Sequence, residues 1–202
     1  MIINLFLLLA LLPCIVAINE TLKKLVVWHP EYHRKLMHIG LGTVILLASS
    51  VLSSFWMLVF LGLLSVVAIA GTALKMSNHY GVKRKTLGLL LYPISLLIMA
   101  WLFLPGNLSA FQYGLITMVF VDGLTAVFGV RFGKNIEPYD KSIAGSVFFF
   151  AASFLVSLLF GLAILPAVII AAILTYIEFY STYGVDNLSL PLLASLLFFV
   201  LI

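Results

Sequence analysis

FQYGLITMVFVDGLTAVFGV, residues 111–130, decides the fold class, because it is an almost uninterrupted apolar run whose only charge is Asp122. A membrane-spanning helix needs about 20 consecutive, mostly apolar residues. Within lipid every backbone polar group must be satisfied inside the segment, and a continuous run favours a helix over a barrel strand. The stretch therefore predicts a transmembrane helix that carries an acid.

Seven further runs have the same character, and the eight lie at about residues 2–18, 36–53, 55–74, 87–104, 111–130, 143–161, 163–177 and 188–202. The chain of 202 residues is 64% hydrophobic and 9% charged, whereas a soluble domain has about 25% charged residues. We therefore expect an all-α polytopic integral membrane protein with seven or eight spans, forming one transmembrane domain over residues 1–202. The last two runs are short enough to be tilted, shallow or re-entrant.

The charged residues fall on alternate connectors. The connectors at residues 19–35, 75–86, 131–142 and 178–187 hold all 11 Lys and Arg and every acid except Asp122. Basic residues near span ends stay in the cytoplasm, so these connectors are expected to face inside and the N-terminus outside. No basic residue precedes the first run, which favours a retained span over a cleaved signal peptide. The lack of a transit peptide favours a prokaryotic plasma membrane.

The charge balance limits the partners. A net charge of +4, spread over the inner connectors, suits anionic lipid headgroups or a polyanionic substrate such as a nucleotide. No extended basic domain is present to bind nucleic acid. The single cysteine, Cys14, allows no intrachain disulfide. Polar chemistry on one face and one carboxylate within a span indicate an enzyme that works at a membrane surface.

The first inner connector places charged and polar side chains on one helical face. Their spacing is i, i+3, i+4 and i+7, for Glu31, Arg34, Lys35 and His38. Pro30 suits the start of that helix. Basic side chains at a helix N-terminus make a phosphate site, because free N–H groups and the helix dipole add to their charge. The alternative is that Arg34 and Lys35 snorkel to the interface.

The second inner connector contains three consecutive basic residues, Lys83, Arg84 and Lys85. Such a run at the end of a span is usually a topology anchor. Nucleotide binding is the other interpretation, and the residues leave the two open.

The third inner connector begins within the span that carries Asp122. An ionisable residue inside a span predicts a functional site, and the small residues Gly123 and Gly129 allow a neighbouring helix or a phosphate chain to approach. The alternative is a buried structural carboxylate paired with Arg or Lys. Further along, Lys141-Ser142 and Gly145-Ser146 open the sixth run and supply a lysine, hydroxyls and free N–H groups for an anion.

The fourth inner connector supplies two more carboxylates, Glu178 and Asp186. The helix dipole disfavours a carboxylate at a helix C-terminus, so Glu178 requires a Lys, an Arg or a metal ion. Asp186 could be a helix N-cap. Together with Asp122 the two acids could coordinate Mg²⁺, which takes one or two carboxylates plus substrate phosphates.

These blocks, in this order, resemble the membrane-embedded CTP-dependent lipid-alcohol kinases, a family that includes dolichol kinase, yeast-type diacylglycerol kinase and phytol kinase. The matching pieces are Arg34-Lys35-x-x-His38, Asp122-Gly123-x-x-Ala126, Gly129-x-Arg131-Phe-Gly133, Lys141-Ser142-x-Ala-Gly145-Ser146, Glu178 and Asp186-Asn187-x-x-x-Pro191. Ala144 replaces the acid found in many members. That departure brings the chain closest to the phytol or polyprenol kinase branch.

The resemblance implies Mg²⁺-dependent transfer of the terminal phosphate of a nucleoside triphosphate, CTP by preference, to a lipid hydroxyl facing the cytoplasm. The acceptor would be an isoprenoid alcohol (phytol, geranylgeraniol or a polyprenol) or diacylglycerol. Catalytic roles are expected for Asp122, Asp186, Glu178 and His38, and metal binding for Asp122, Glu178 and Asp186. Nucleotide binding is expected for Arg34, Lys35, Arg131, Lys141, Ser142, Gly145, Ser146 and Asn187.

Two other functions compete with the kinase. A phosphatidate cytidylyltransferase, which makes CDP-diacylglycerol, uses the same nucleotide and metal but transfers CMP, so it releases pyrophosphate instead of CDP. The sequence lacks the longer Asp- and Arg-rich signature expected late in that class. A small membrane transporter would place its polar groups near the midplane, often between inverted repeats, whereas here they crowd one face.

Overall fold

The computed structural model describes residues 2–73, 87–136 and 141–202. The whole second inner connector, residues 75–86 with the basic run at 83–85, lies outside these ranges. So do residues 137–140 of the third connector.

The described chain is almost entirely helical. The elements in order are α1 (Ile2–Leu25), α2 (Pro30–Val51), α3 (Ser54–Ala73), α4 (Gly88–Phe103), α5 (Leu108–Ile116), a π-helical segment (Thr117–Asp122), α6 (Gly123–Phe132), β1 (Asn135–Ile136), β2 (Lys141–Ser142), α7 (Ile143–Leu159), α8 (Ile164–Tyr180) and α9 (Asp186–Leu201). The two short strands pair antiparallel, with Asn135 opposite Ser142. Each apolar run of the sequence therefore corresponds to one helical rod.

The prediction of an all-α polytopic membrane protein is confirmed. Four described rods are long and apolar enough to cross a membrane: α1, α2, α3 and the continuous rod Leu108–Phe132. The apolar helices α4, α7, α8 and α9 are shorter, at 16 or 17 residues each. The number of spans and their orientation remain predictions.

Helix α2 begins where the sequence predicted, but well before the apolar run starts. Pro30 occupies the first turn, and the ring of His29 accepts a hydrogen bond from the N–H of Glu31 at 3.3 Å. Proline is favoured there because its missing N–H has no helical partner to lose. The helix thus carries Arg34, Lys35 and His38 into the bundle on its first turns.

The core of the bundle lies where α4, α5 and α9 pack together, and α3 covers α4. Its largest side chains, including Tyr113, Phe111 and Phe198, are fully buried. Helices in lipid gain little from the hydrophobic effect and associate through close packing of small residues. Gly114 illustrates this, since a Cβ at that position would overlap Ser195 and the backbone of α9.

A chain of neighbouring helices positions the polar residues. Helix α2 packs against the π segment and α6, α6 packs against α7, α7 against α8, and α8 against α9. The first turn of α2, the π segment, strand β2 and the facing ends of α8 and α9 thereby converge on one region of the bundle.

Candidate active site

Asp122 lies at the end of the π segment. Its side chain is buried, with 4% of its surface exposed, inside the longest apolar rod. A π-helical turn inserts one extra residue into an α-helix and is frequently found at functional sites. The insertion changes which side chains face α2, and in this chain the π segment delivers Asp122 to that helix.

Two side chains of α2 meet the Asp122 carboxylate. The ammonium of Lys35, itself 3% exposed, lies 2.5 Å from Oδ2. The Nε2 of His38 lies 4.0 Å from the same oxygen and 2.9 Å from the carbonyl oxygen of Met118. Because a carbonyl only accepts, Nε2 must carry the proton. The three groups therefore form a buried, oriented acid–base cluster, which we call the Asp122 cluster.

Tyr92 of α4 fixes the position of His38, and the sequence analysis missed this residue. Its hydroxyl donates to the carbonyl oxygen of His38 at 3.1 Å, and its ring meets the imidazole edge-on at a centroid distance of 4.5 Å. A polar aromatic residue beside Pro93 within an apolar run was the available signal.

A second cluster surrounds Lys141, on strand β2. Its ammonium lies 2.5 Å from Glu178 Oε1 and 3.4 Å from Asp186 Oδ2. Burial lowers the pKa of this lysine, but attraction by Asp186, Glu178 and Asp122 outweighs burial and raises the pKa above its usual range. Lys141 is thus the cation that the dipole argument required for Glu178. We call these three residues the Lys141 cluster.

The two clusters belong to one electrostatic site, because the charge of Asp122 acts on Lys141 and that of Asp186 acts on Lys35. Together they contain two ammonium groups and three carboxylates, which leaves one negative charge in excess. Arg34 does not change this balance, because it pairs with Glu31 at 2.7 Å. Such an excess favours an additional cation.

Glycines pack tightly around Ser142, which directly follows Lys141. The Ser142 hydroxyl caps α7 by accepting a hydrogen bond from the Gly145 N–H at 3.1 Å. A Cβ at Gly133 would overlap the Ser142 side chain, and one at Gly129 would lie 3.0 Å from its hydroxyl. The glycines of this motif therefore make room for the cap, which fixes the strand that carries Lys141.

The residues present suit a magnesium ion held by two carboxylates. Glu178 and Asp186 converge on a single point, now the ammonium of Lys141, and Mg²⁺ is commonly bound by one or two carboxylates with substrate phosphates. The three metal ligands expected from the sequence, Asp122, Glu178 and Asp186, do not form one group. Among residues 2–73, 87–136 and 141–202, no three acidic, His or Cys side chains lie close enough together to hold a metal ion. Asp122 is held apart by Lys35.

The structure therefore brings together most of the expected site residues. Lys35, His38, Asp122, Lys141, Ser142, Glu178 and Asp186 lie in the site, and the buried Asn187 adjoins it through its N–H, which donates to Asp186 at 3.0 Å. Arg131 lies apart, exposed in the last turn of α6, with its guanidinium over the Phe132 ring. Asp186 is not the N-cap of α9, because Val185 takes that place and the carboxylate turns to Lys141.

A polytopic helical membrane protein with a buried acid–base site at its helix ends is the class that these observations define. The chain is 29% identical to the phytol kinase of Synechocystis sp. over 206 aligned positions, which cover 92% of this chain and 86% of that protein. This relative supports the resemblance to the lipid-alcohol kinase family and to its phytol kinase branch. No model of a protein family and no solved structure matches the chain.

Proposed function

We propose that the protein is a lipid kinase that transfers the terminal phosphate of a nucleoside triphosphate to the hydroxyl of an isoprenoid alcohol. The observation that carries the proposal is the similarity to a phytol kinase along nearly the whole chain. CTP is the proposed donor on the family resemblance, and Mg²⁺ the proposed metal. The protein would act as a multi-pass protein of the plasma membrane, with the site open to the cytoplasm.

The chemistry requires a base, a positive environment for phosphate and a route for each substrate. In the reaction the lipid oxygen bonds to the terminal phosphorus, the bond between that phosphorus and the bridging oxygen breaks, and the hydroxyl proton leaves. The products are a lipid phosphate, a nucleoside diphosphate and a proton. Catalysis of such transfers is mostly positioning and charge stabilisation.

Asp122 is the proposed acceptor of the hydroxyl proton. One observation supports this role over metal binding: among the described residues Asp122 does not group with the other carboxylates. The ion pair with Lys35 fixes the orientation of its carboxylate. His38, whose Nε2 proton is held by Met118, lies within 4.0 Å and keeps a second polar group beside the carboxylate.

The Lys141 cluster is the proposed site of the phosphates. Glu178 and Asp186 would hold Mg²⁺, which supplies charge neutralisation between the phosphate oxygens. With both carboxylates engaged in this way, the Lys141 ammonium would be free to bind a phosphate oxygen. Lys35 and Arg34 are each paired with an acid, so they would contribute to phosphate binding only by leaving Asp122 and Glu31. The exposed Arg131 guanidinium could bind a nucleotide that arrives from water.

Product analysis tests the proposal against the cytidylyltransferase. Purified protein is incubated with CTP, Mg²⁺ and either phytol or phosphatidate. The kinase predicts CDP that appears only with the alcohol, and its formation should stop when EDTA removes the metal. Pyrophosphate released with phosphatidate would instead establish the cytidylyltransferase. Absence of both products, with uptake of solute into vesicles, would favour the transporter.

A further inference from the structure

A groove runs between the outer faces of α7 and α8. It has a volume of about 430 Å³ and an almost entirely apolar surface. Its walls are formed by Ile143, Ser146, Val147, Phe150, Thr175, Tyr176, Phe179 and Tyr180. Small-molecule sites in proteins have volumes of about 300–1,000 Å³ and mainly apolar and aromatic linings. The groove therefore has the size and surface of a binding site for part of a lipid.

The groove lies at the helix ends that carry the Lys141 cluster. Ser146 is in the first turn of α7, which follows Lys141 directly, and Thr175 is one turn before Glu178 on α8. The outer walls are open, since Val147 is 64% and Tyr176 is 65% exposed. In a bilayer such apolar walls face lipid. A ligand would thus enter from the membrane, not from water.

Ser146, in the wall on the α7 side, has a buried hydroxyl without a hydrogen-bond partner. Its hydroxyl is buried and makes no hydrogen bond within the described structure, whereas the Thr175 hydroxyl donates to the carbonyl oxygen of Ala171 at 2.6 Å. Buried hydroxyls are nearly always bonded, so an unbonded one requires an explanation. A serine has three staggered χ1 positions and can turn its hydroxyl to a group that arrives in the groove.

We propose that this groove binds the tail of the acceptor alcohol, with the lipid hydroxyl held by Ser146 near the Lys141 cluster. An apolar wall with a buried, unpaired hydroxyl matches a molecule that is apolar along its length and carries one terminal hydroxyl. This inference rests on the proposed kinase function. It adds where the alcohol enters the protein and which residue receives it.

Photolabelling tests the binding site without requiring turnover. The full-length protein in nanodiscs is labelled with a diazirine-bearing isoprenoid alcohol, without nucleotide, and the labelled peptides are identified by mass spectrometry. Label should concentrate on the groove walls of α7 and α8 and be displaced by phytol but not by added phosphatidylcholine. Label spread over the outer helix faces, or displaced equally by phosphatidylcholine, would overturn the proposal.

Two tryptophan variants test the same groove by kinetics. Val147→Trp fills the groove and should raise the KM for phytol about tenfold or more, since excluding two methylenes costs about that much affinity. The KM for nucleotide should not change. Leu155→Trp is the matched control, because this residue of α7 is also exposed but lies outside the groove. Equal effects of the two variants would contradict the proposed site.

Ser146→Ala distinguishes the contribution of the Ser146 hydroxyl from that of the apolar groove walls. It should lower kcat/KM for phytol several-fold and leave photolabelling of the groove in place. If the groove is labelled but no lipid is phosphorylated, the kinase proposal fails while the binding site stands. If phytol is phosphorylated but the groove is neither labelled nor sensitive to Val147→Trp, the binding site fails while the kinase stands.

Discussion

The buried Asp122 carboxylate has two explanations at the scale of single residues. The sequence allowed either a catalytic group or a structural acid paired with a basic residue, and Lys35 provides that pair. Asp122→Asn should reduce turnover about 10²- to 10⁴-fold, the usual contribution of a general base. It should also destabilise the protein by roughly 3–5 kcal/mol, because Lys35 is left buried and unpaired. Initial rates and thermal unfolding in detergent measure the two effects.

A double variant then separates catalysis from stability. Replacing a whole buried ion pair by apolar residues is often neutral or stabilising. Lys35→Met with Asp122→Leu should therefore restore most of the lost thermal stability but none of the activity. A stable double variant with substantial turnover would show that the pair is structural only.

Lys141 is expected to act on the nucleotide. Lys141→Ala removes a charge-assisted bond, commonly about 1.5–3 kcal/mol, and should raise the nucleotide KM by about 10- to 100-fold. The control is Lys24→Ala, which removes an exposed basic residue at the end of α1. Equal nucleotide KM values for the wild type and Lys141→Ala would exclude the role.

The protonation of Lys141 sets the expected pH dependence. Its raised pKa means that the charged form is stabilised by folding, so this contribution is complete below the ordinary value of 10.5 and is lost only at still higher pH. The nucleotide KM should therefore show no step from this lysine between about pH 6 and 9. A step between about pH 6 and 9 that Lys141→Arg abolishes would contradict this.

At the scale of elements, the glycine packing around Ser142 positions strand β2. Gly133→Ala should destabilise the protein by about 1–3 kcal/mol, as expected when a buried site is overpacked, and should lower activity by displacing Lys141. Gly62→Ala is the control, because a Cβ there meets nothing within 4 Å and helix propensity favours alanine. Unfolding temperatures of the two variants should thus move in opposite directions, and similar shifts would contradict the packing argument.

Sequence patterns predicted the helices well because lipid imposes a length and composition on every span. The start of α2 at Pro30 also followed from a local rule. The π segment could not be predicted, since one inserted residue leaves no signature in an apolar run. The helix dipole predicted a cation beside Glu178 but did not indicate which basic residue it is. Lys141 is 37 positions away in the sequence, and only tertiary packing brings it to Glu178.

At the scale of the whole molecule, the alternation of charged connectors predicts that they all face the cytoplasm. Single cysteines are introduced by Lys134→Cys and Gly106→Cys in a chain with Cys14→Ser, since Cys14 is the only native cysteine. A membrane-impermeant maleimide should label position 134 only in inverted vesicles and position 106 only in right-side-out vesicles. Labelling of both positions from the same side would refute the eight-span topology.

Packing of the helices also brings the apolar groove between α7 and α8 close to the charged Lys141 cluster. The nucleotide would reach the Lys141 cluster from water, whereas the alcohol would enter between α7 and α8 from lipid. Both proposed routes would end near the same cluster, because α7 follows Lys141 directly and α8 ends beside Glu178. In the proposed function, the bundle would thus bring together a soluble and a membrane-bound substrate.

Transfer of labelled phosphate from nucleotide to lipid tests the proposed kinase activity most directly. Wild-type protein in nanodiscs receives Mg²⁺, CTP labelled on its γ-phosphate, and phytol, geranylgeraniol, a polyprenol or diacylglycerol in turn. A lipid-alcohol kinase should place label on an isoprenoid alcohol, whereas the folded Lys35→Met, Asp122→Leu control should give none. No label on any lipid with the active preparation, or equal labelling by the control, would contradict the proposed kinase activity.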